Sequence, residues 1–184
     1  EFVAGHGLTS RLASVRTVAP TGADIARNPK AAMELLAKGC SACVREDGAD
    51  VVILEGPIGQ SAQIERRKGN QNVLAKYKDV KVLEMKTANW SRAEALSLME
   101  NWLTSHSGKI HGIIGQNDEM ALGAIEAVKA KGLDPKSIPT AGIDGVTDAV
   151  RAGQAGNMVS VLQDAAAQAQ GGLEVHVLHQ AGDV

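Results

Sequence analysis

The chain is poor in aromatic residues, and neither sign of charge dominates it. Aromatic residues make up 2% of the 184 residues, and the 19 basic and 21 acidic side chains leave a formal charge of −2. Charges of both signs are spread without long runs, which excludes the electrostatic basis for binding nucleic acid or an anionic membrane surface. No apolar stretch reaches about 18 residues, so the sequence does not predict membrane insertion. We also recognise no signal peptide.

Cysteine is almost absent as well. Cys40 and Cys43 are the only two, and they lie in a segment whose apolar residues recur at helical spacing. A redox CxxC pair normally stands at the start of a helix directly after a strand, whereas these fall in the middle of a predicted helix. We therefore interpret both cysteines as small core residues.

What the chain does contain is an alternation of apolar, strand-like runs with amphipathic helical stretches. The near-continuously apolar runs "DVVILEG" and "IHGIIG" suit strands covered on both faces of a parallel sheet. Strands are predicted at Val15–Pro20, Asp50–Gly56, Val80–Met85, Ile110–Gly115, Pro139–Asp144 and Met158–Gln163. Helices are predicted near 28–46, 61–77, 91–106, 118–131, 146–153 and 163–180. Repeated β-α units predict an α/β fold: a doubly wound, mostly parallel open sheet of the flavodoxin or Rossmann type, a three-layer sandwich forming a single lobe.

The helix predicted from residue 91 has the clearest pattern. Its apolar positions follow the i, i+3, i+4 spacing of one buried face: Ala95, Leu98, Met99, Trp102 and Leu103. Ser91, with Glu94 three residues later, predicts a capping box at its start.

Polar residues follow the predicted strands, where open α/β sheets bind their ligands. They occur in 55–61, 87–90, 116–118, 144–145 and 163–164. Carboxylates and amides pair with vicinal hydroxyls, and a tryptophan can cover the C–H side of a sugar ring. The pattern therefore favours a sugar site at this edge of the sheet.

At these residues the chain resembles the C-terminal lobe of the type I periplasmic sugar-binding proteins, the ribose- and galactose-receptor group of ABC importers. The resemblance covers about residues 50–180 in five ordered stretches: "VVILEGPIGQSAQIERRKGN", "LAKYKDVKVLEMKTANWSR", "GIIGQNDEMALGAIEAVKAKG", "TAGIDG" and "VSVLQD". It implies a periplasmic receptor that binds a small sugar without a cofactor. It also implies a set of ligand-contacting side chains: Arg66, Trp90, Asn117, Asp118, Asp144 and Gln163.

Each of these residues also has a structural interpretation. Asn117 or Asp118 could cap the following helix. The basic run 66–68 is typical of a solvated helix face, and Asp144 before a glycine is typical of a turn. An isolated tryptophan such as Trp90 usually packs in a core.

The chain also departs from this family. Residues 3–53 resemble the aspartate, glutamate and hydantoin racemases, but Glu55 and Gly56 stand where that family has a catalytic cysteine, so racemase activity is not expected. We therefore predict a chimera, with a racemase-like segment at 1–53 and a truncated sugar-receptor lobe at 54–184. A single lobe leaves its sugar half solvated, which predicts weak binding. Unpaired sheet edges would favour a homodimer.

An enzyme is the alternative. His176 and His179, at i, i+3 on the predicted last helix, with Asp183 four residues further, could hold zinc or manganese. A dimer could complete the site, and a metal-bound water would then hydrolyse an ester or phosphoester. Two surface histidines on a solvated terminal helix are the simpler interpretation. No HExxH, GxSxG or P-loop motif is present.

Overall fold

The computed structural model describes residues 49–163 and the backbone of residues 177–178. The predicted strand Val15–Pro20, the predicted helix 28–46 and both cysteines lie outside these residues, as do His176, His179 and Asp183. Within the described part of the chain, no helix combines the length and the apolar character that crossing a bilayer requires.

Strands and helices alternate along the described chain as the sequence predicts. The five strands of the main sheet are β1 (Ala49–Glu55), β2 (Val80–Thr87), β3 (Gly112–Gly115), β4 (Thr140–Asp144) and β5 (Val159–Leu162). The four α-helices between them are α1 (Ser61–Leu74), α2 (Arg92–Ser105), α3 (Asp118–Ala130) and α4 (Thr147–Gln154). A short 3-10 helix, Pro135–Ser137, leads from α3 into β4.

The strand order explains where a ligand would bind. It is β2-β1-β3-β4-β5-β6, and every pair among the first five strands is parallel. The chain leaves β1 toward β2 on one side and later returns to place β3 on the other side. Such a reversal opens a crevice at the carboxyl ends of the strands. The predicted doubly wound α/β fold is therefore confirmed.

The predicted last helix is wrong where the structure describes it. Val177–Leu178 form strand β6, which pairs antiparallel with β5 through Ser160 and Val161. The sequence "LEVHV" at 173–177 alternates apolar and polar residues with a period of two, which favours a strand. The i, i+3 spacing of the two histidines predicts a helix, but the two residues between them, Val177 and Leu178, are extended. Strand β6 supplies the edge of β5 with hydrogen-bonding partners that a helix could not offer.

The core lies on both faces of β1 and β3. Val52 and Leu54 pack with α2 and α3, so the alternation of side chains turns Val51 and Ile53 to the opposite face, where they are also buried. The predicted apolar face of α2 is confirmed, with Trp102 in the core cluster. Ser91 Oγ accepts from the backbone N–H of Glu94 at 3.3 Å, which is one half of the predicted capping box.

Strands β2 and β6 are the edges of the described sheet. The homodimer that we predict from unpaired edges stays a prediction.

Candidate functional site

Arg66 is the centre of the polar groups above the carboxyl ends of the strands. It projects from α1 and is only 5% exposed. One terminal nitrogen donates to the backbone oxygen of Gln116 at 2.5 Å, and the other donates to Gln163 Oε1 at 2.6 Å. The second nitrogen also lies 3.7 Å from Asp144 Oδ1. Arg66 thus links α1 to the ends of β3, β4 and β5, and it is not part of a solvated face.

Trp90 forms one side of the same site. The guanidinium carbon of Arg66 lies over the indole ring, 5.3 Å from its centroid. Asn89 and Trp90 both adopt positive φ angles, 52° and 62°, which turn the chain sharply between β2 and α2. The ring is half-buried and packs partly against the core cluster. Trp90 is therefore both a core contact and a wall of the site.

Asp144 carries a partly exposed carboxylate of the site. It ends β4 at φ 132°, a backbone conformation that residues other than glycine rarely adopt, and its side chain is 33% exposed. Burial raises the pKa of Asp144 to about 6. Arg66 lowers this pKa, whereas Asp118 and Glu119 raise it further. This carboxylate consequently changes charge at a mildly acidic pH.

Asp118 is close to this group but is enclosed. Its Oδ2 accepts from the backbone N–H groups of Gly145 and Val146 at 2.7 and 3.0 Å, and its Oδ1 accepts from Ser160 Oγ at 2.6 Å. The side chain has no exposed surface. Burial raises the pKa of Asp118, and these three hydrogen bonds lower it. We interpret Asp118 as the support of the turn after Asp144.

Asn117 combines a cap with a position at the mouth of the site. Its Oδ1 accepts from the backbone N–H of Met120 at 2.9 Å, so the predicted capping role is correct. Its Nδ2 lies 3.5 Å from the backbone oxygen of Trp90. Five of the predicted side chains therefore form one connected group, which we call the mouth: Arg66, Trp90, Asn117, Asp144 and Gln163. Asp118 lies beneath it.

A buried polar network under the mouth was not predicted. Glu55, at the end of β1, is 1% exposed and forms a bidentate ion pair with Arg67, whose Nε lies 2.6 Å from Glu55 Oε1. Gln116 Nε2 donates to the same oxygen at 3.2 Å, while Gln116 Oε1 accepts from the N–H of Gly56 at 3.0 Å. Gln63 Nε2 also donates to Glu55. A buried carboxylate at the end of an apolar strand requires a cationic partner. The position of Glu55 in the sequence could therefore have indicated a nearby arginine such as Arg67.

The described residues contain no group of three or more His, Cys, Asp or Glu side chains that could hold a metal ion. The predicted ligands His176, His179 and Asp183 lie outside these residues. The helical spacing that suggested them is wrong, because Val177–Leu178 between the histidines are extended. Nothing in the described part of the chain supports the alternative of a metal-dependent hydrolase.

Known proteins resemble this chain over most of its length. A family model described as a periplasmic binding protein domain matches residues 10–183. The chain is 44% identical to a xylitol-binding protein of Mycolicibacterium smegmatis over 127 residues, which cover 68% of this chain and 36% of that protein. It is 40% identical to the ribose import binding protein of Haemophilus influenzae over 116 residues, covering 63% of this chain and 38% of that protein.

Solved structures agree with the fold. An ABC transporter periplasmic solute-binding protein from Actinobacillus succinogenes with bound D-allose superposes with a TM-score of 0.69 at 26% identity, covering 87% of this chain and 61% of that one. An ABC transporter solute-binding protein from Bacillus halodurans with bound myo-inositol gives a TM-score of 0.67 at 30% identity, covering 85% and 59%.

The chain covers only part of the length of its relatives, and the family match crosses the predicted junction. It spans about two fifths of the length of the curated relatives it matches, 36% and 38% for the two named above. The family match also extends across residue 53, the predicted junction of a chimera. The prediction of a racemase-like segment joined to a receptor lobe is therefore not supported.

Proposed function

The chain belongs to the periplasmic binding protein family, and from this premise we propose that its strand-end mouth binds a small uncharged sugar or polyol. The observation that carries the proposal is the pairing of Arg66 with Asp144. Their closest atoms are 3.7 Å apart, which is longer than a hydrogen bond. A hydroxyl group can accept from the guanidinium and donate to the carboxylate at the same time.

The charges of the mouth favour an uncharged ligand. Arg66 and Asp144 carry opposite signs above the pKa of Asp144. Of the two other carboxylates that act on Asp144, Asp118 is enclosed by its own hydrogen bonds and Glu119 is paired with Arg92. A carboxylate ligand would be repelled by Asp144, and an ammonium ligand by Arg66. A polyol has the donors and acceptors that both groups need and adds no net charge.

Trp90 and Gln163 complete the proposed contacts. An aromatic ring beside hydrogen-bonding groups suits a sugar, because one side of a sugar ring carries C–H groups and its edge carries hydroxyls. Gln163 is exposed; its side-chain Oε1 accepts from Arg66, and its backbone N–H donates to the backbone oxygen of Asp144. We assign Asn117 to the ligand through its amide nitrogen and keep Asp118 as a support.

The relatives' ligands fit this chemistry. Xylitol, ribose, D-allose and myo-inositol, as the relatives' names and titles give them, are all polyhydroxylated and uncharged. By the same relationship we propose that the whole protein is the periplasmic receptor of an ABC importer and delivers its ligand to that importer.

Titration calorimetry with xylitol, ribose, D-allose and myo-inositol tests the proposal. We expect at least one of them to bind this chain weakly, with a dissociation constant on the order of millimolar. Asp144→Ala should weaken that binding by at least about tenfold, because a charge-assisted hydrogen bond is lost. Asp79→Ala, which removes an exposed carboxylate just before β2, is the matched control. No heat with any of the four, or equal affinity in Asp144→Ala, would reject the proposal.

The affinity should also depend on pH in one direction. Because the pKa of Asp144 is about 6, its carboxylate is ionised at pH 7.5 and mostly protonated at pH 5. Protonation removes both a strong acceptor and the partner of Arg66, so affinity should fall as the pH falls through 6. Calorimetry at several pH values measures this dependence, and Asp144→Asn should flatten it. An unchanged affinity of the wild type at pH 5 would contradict the assignment.

The stability of the ligand-free protein should show the opposite dependence. The folded pKa of Asp144 lies above the unfolded value of about 3.9, so the folded state binds an extra proton between these values. This group's contribution to the free energy of unfolding is therefore present at low pH and lost as the pH rises through 6. Asp144→Asn separates this contribution from that of Asp118, whose pKa is also raised.

A further inference from the structure

The orientation of Trp90 depends on the loop that joins β1 to α1. The indole Nε1 donates to Gln60 Oε1 at 2.7 Å, although thirty positions separate the two residues in the sequence. The ring also lies directly against Gly56, so that a Cβ atom at Gly56 would overlap its six-membered part. Arg66 lies over the ring at 5.3 Å. Three contacts from the same loop and helix therefore fix one side chain of the mouth.

We propose that Gln60 is a positioning residue for ligand recognition, which holds the indole of Trp90 as a wall of the site; this rests on the proposed function. The hydrogen bond restricts rotation of the indole about its side-chain torsions. It also occupies the indole N–H. Trp90 therefore offers the ligand apolar ring surface and no hydrogen-bond donor. A ligand that turns a C–H face of its ring toward Trp90 is favoured as a result.

The position of Gln60 in the fold supports this role independently. Gln60 is the N-cap residue of α1, with extended backbone angles of φ −73° and ψ 142°. Serine, threonine, aspartate and asparagine are preferred there because their short side chains bond to the first helical N–H groups. Gln60 makes no such side-chain cap, and its carboxamide is directed to Trp90 instead. Gln60 therefore occupies the N-cap position without capping the helix through its side chain, which contacts Trp90 instead.

The N-cap position allows an experiment that separates positioning from stability. Gln60→Ser introduces a good capping side chain that is too short to reach Trp90. If Gln60 were merely structural, this variant would improve the helix and leave ligand binding unchanged. We expect instead that its melting temperature stays equal or rises, while its affinity for the best wild-type ligand among the four polyols falls about fivefold, the equivalent of one neutral hydrogen bond. Gln60→Glu, whose carboxylate still accepts from the indole, should retain wild-type affinity.

The indole N–H resonances give a direct readout in the ligand-free protein. The chain has two tryptophans, so two signals are expected, and the spectrum of Trp90→Phe assigns them. In Gln60→Ser the Trp90 signal should move upfield and exchange faster with water, and Gln60→Glu should keep its position. The signal of Trp102, which is buried in the core, is the internal control. Gln71→Ala, which removes an exposed glutamine from the same helix, should change neither signal nor affinity.

The outcomes distinguish the two proposals. An unchanged Trp90 signal in Gln60→Ser overturns the positioning role, whatever the ligand results are. Equal affinity of Gln60→Ser and the wild type overturns it as well, and leaves the sugar-binding proposal intact. Absence of binding by the wild type rejects the proposed function itself, and the positioning role with it.

Discussion

Gly123→Ala is expected to lower the free energy of unfolding by about 2–3 kcal/mol, although alanine is the better helix former. Gly123 lies in α3 where α2 crosses it. A Cβ atom at this position would overlap the backbone oxygen of Arg92 and lie 3.1 Å from the backbone nitrogen of Leu96. Backbone atoms cannot rotate away as the end of a side chain can, so α2 would have to move from α3. The cost of that movement exceeds the gain in helix propensity, which is at most about 1 kcal/mol.

Chemical denaturation of Gly123→Ala and of Ala130→Gly measures this balance. Ala130 is exposed at the end of α3, so its replacement changes helix propensity without affecting packing. We expect both variants to be less stable than the wild type, with the larger loss in Gly123→Ala. If helix propensity decided the outcome at both positions, Gly123→Ala would be more stable than the wild type, and the close contact of α2 with α3 would be refuted.

The same contact bears on the binding mouth. Trp90 stands two residues before the first residue of α2, and Arg92 pairs with Glu119 on α3 and Asp148 on α4. A displacement of α2 would therefore move the wall of the mouth relative to the strand ends. Some loss of ligand affinity should accompany the loss of stability in Gly123→Ala.

The sequence predicts the sheet well because burial on both faces leaves a simple pattern. The apolar runs at β1 and β3 correspond to strands that are buried on each side, and the strand bounds agree within two residues. Ligands of open α/β sheets bind at the carboxyl ends of the parallel strands, so the sequence alone predicts which loops line the mouth. Strand β6 is not predicted, because the i, i+3 spacing of His176 and His179 fits a helix, whereas the alternation that favours a strand, "LEVHV", covers only residues 173–177.

Side-chain direction could not be predicted in the same way. Arg66 and Arg67 are neighbours in α1, yet about 100° of helical rotation separates them. Arg66 consequently reaches the mouth, and Arg67 reaches the buried Glu55. Asp118 and Asp144 likewise both lie near the carboxyl ends of strands, but Asp118 is enclosed by three donors and Asp144 is partly exposed. Such differences depend on the three-dimensional neighbours, which the local sequence does not specify.

The racemase resemblance shows the limit of a short match. It covers about fifty residues, for which the sequence predicts a strand, a helix and a strand, and many α/β families share this order because the same crossover suits the same kind of sheet. The match to the periplasmic binding protein domain covers residues 10–183 and therefore distinguishes this family from other α/β families, which the shorter pattern could not do.

Asp118→Ala is expected to destabilise the protein by about 3 kcal/mol, because it removes the carboxylate that accepts from three donors. The donors are the backbone N–H groups of Gly145 and Val146 and the hydroxyl of Ser160; the N–H of Gly145 also has a longer contact, 3.2 Å, with Ser160 Oγ. Ser160 is 2% exposed, so water cannot readily replace the carboxylate there. The fit is also close, since a Cβ atom at Gly142 would overlap Asp118 Oδ1. Denaturant unfolding measures the loss.

Two further variants separate the charge of Asp118 from its hydrogen bonds. The pKa of Asp118 is raised by burial, so a neutral side chain is tolerated, and Asp118→Asn, which keeps one acceptor oxygen, should lose less stability than Asp118→Ala. Asp144→Asn should lose affinity for the ligand without losing stability, because its own raised pKa means that burial disfavours its charge. The two carboxylates would then have different roles, one supporting the turn and one contacting the ligand. If Asp118→Ala kept its stability and lost only its affinity, Asp118 would be the ligand contact that the sequence predicted, and its assignment as a support would be wrong.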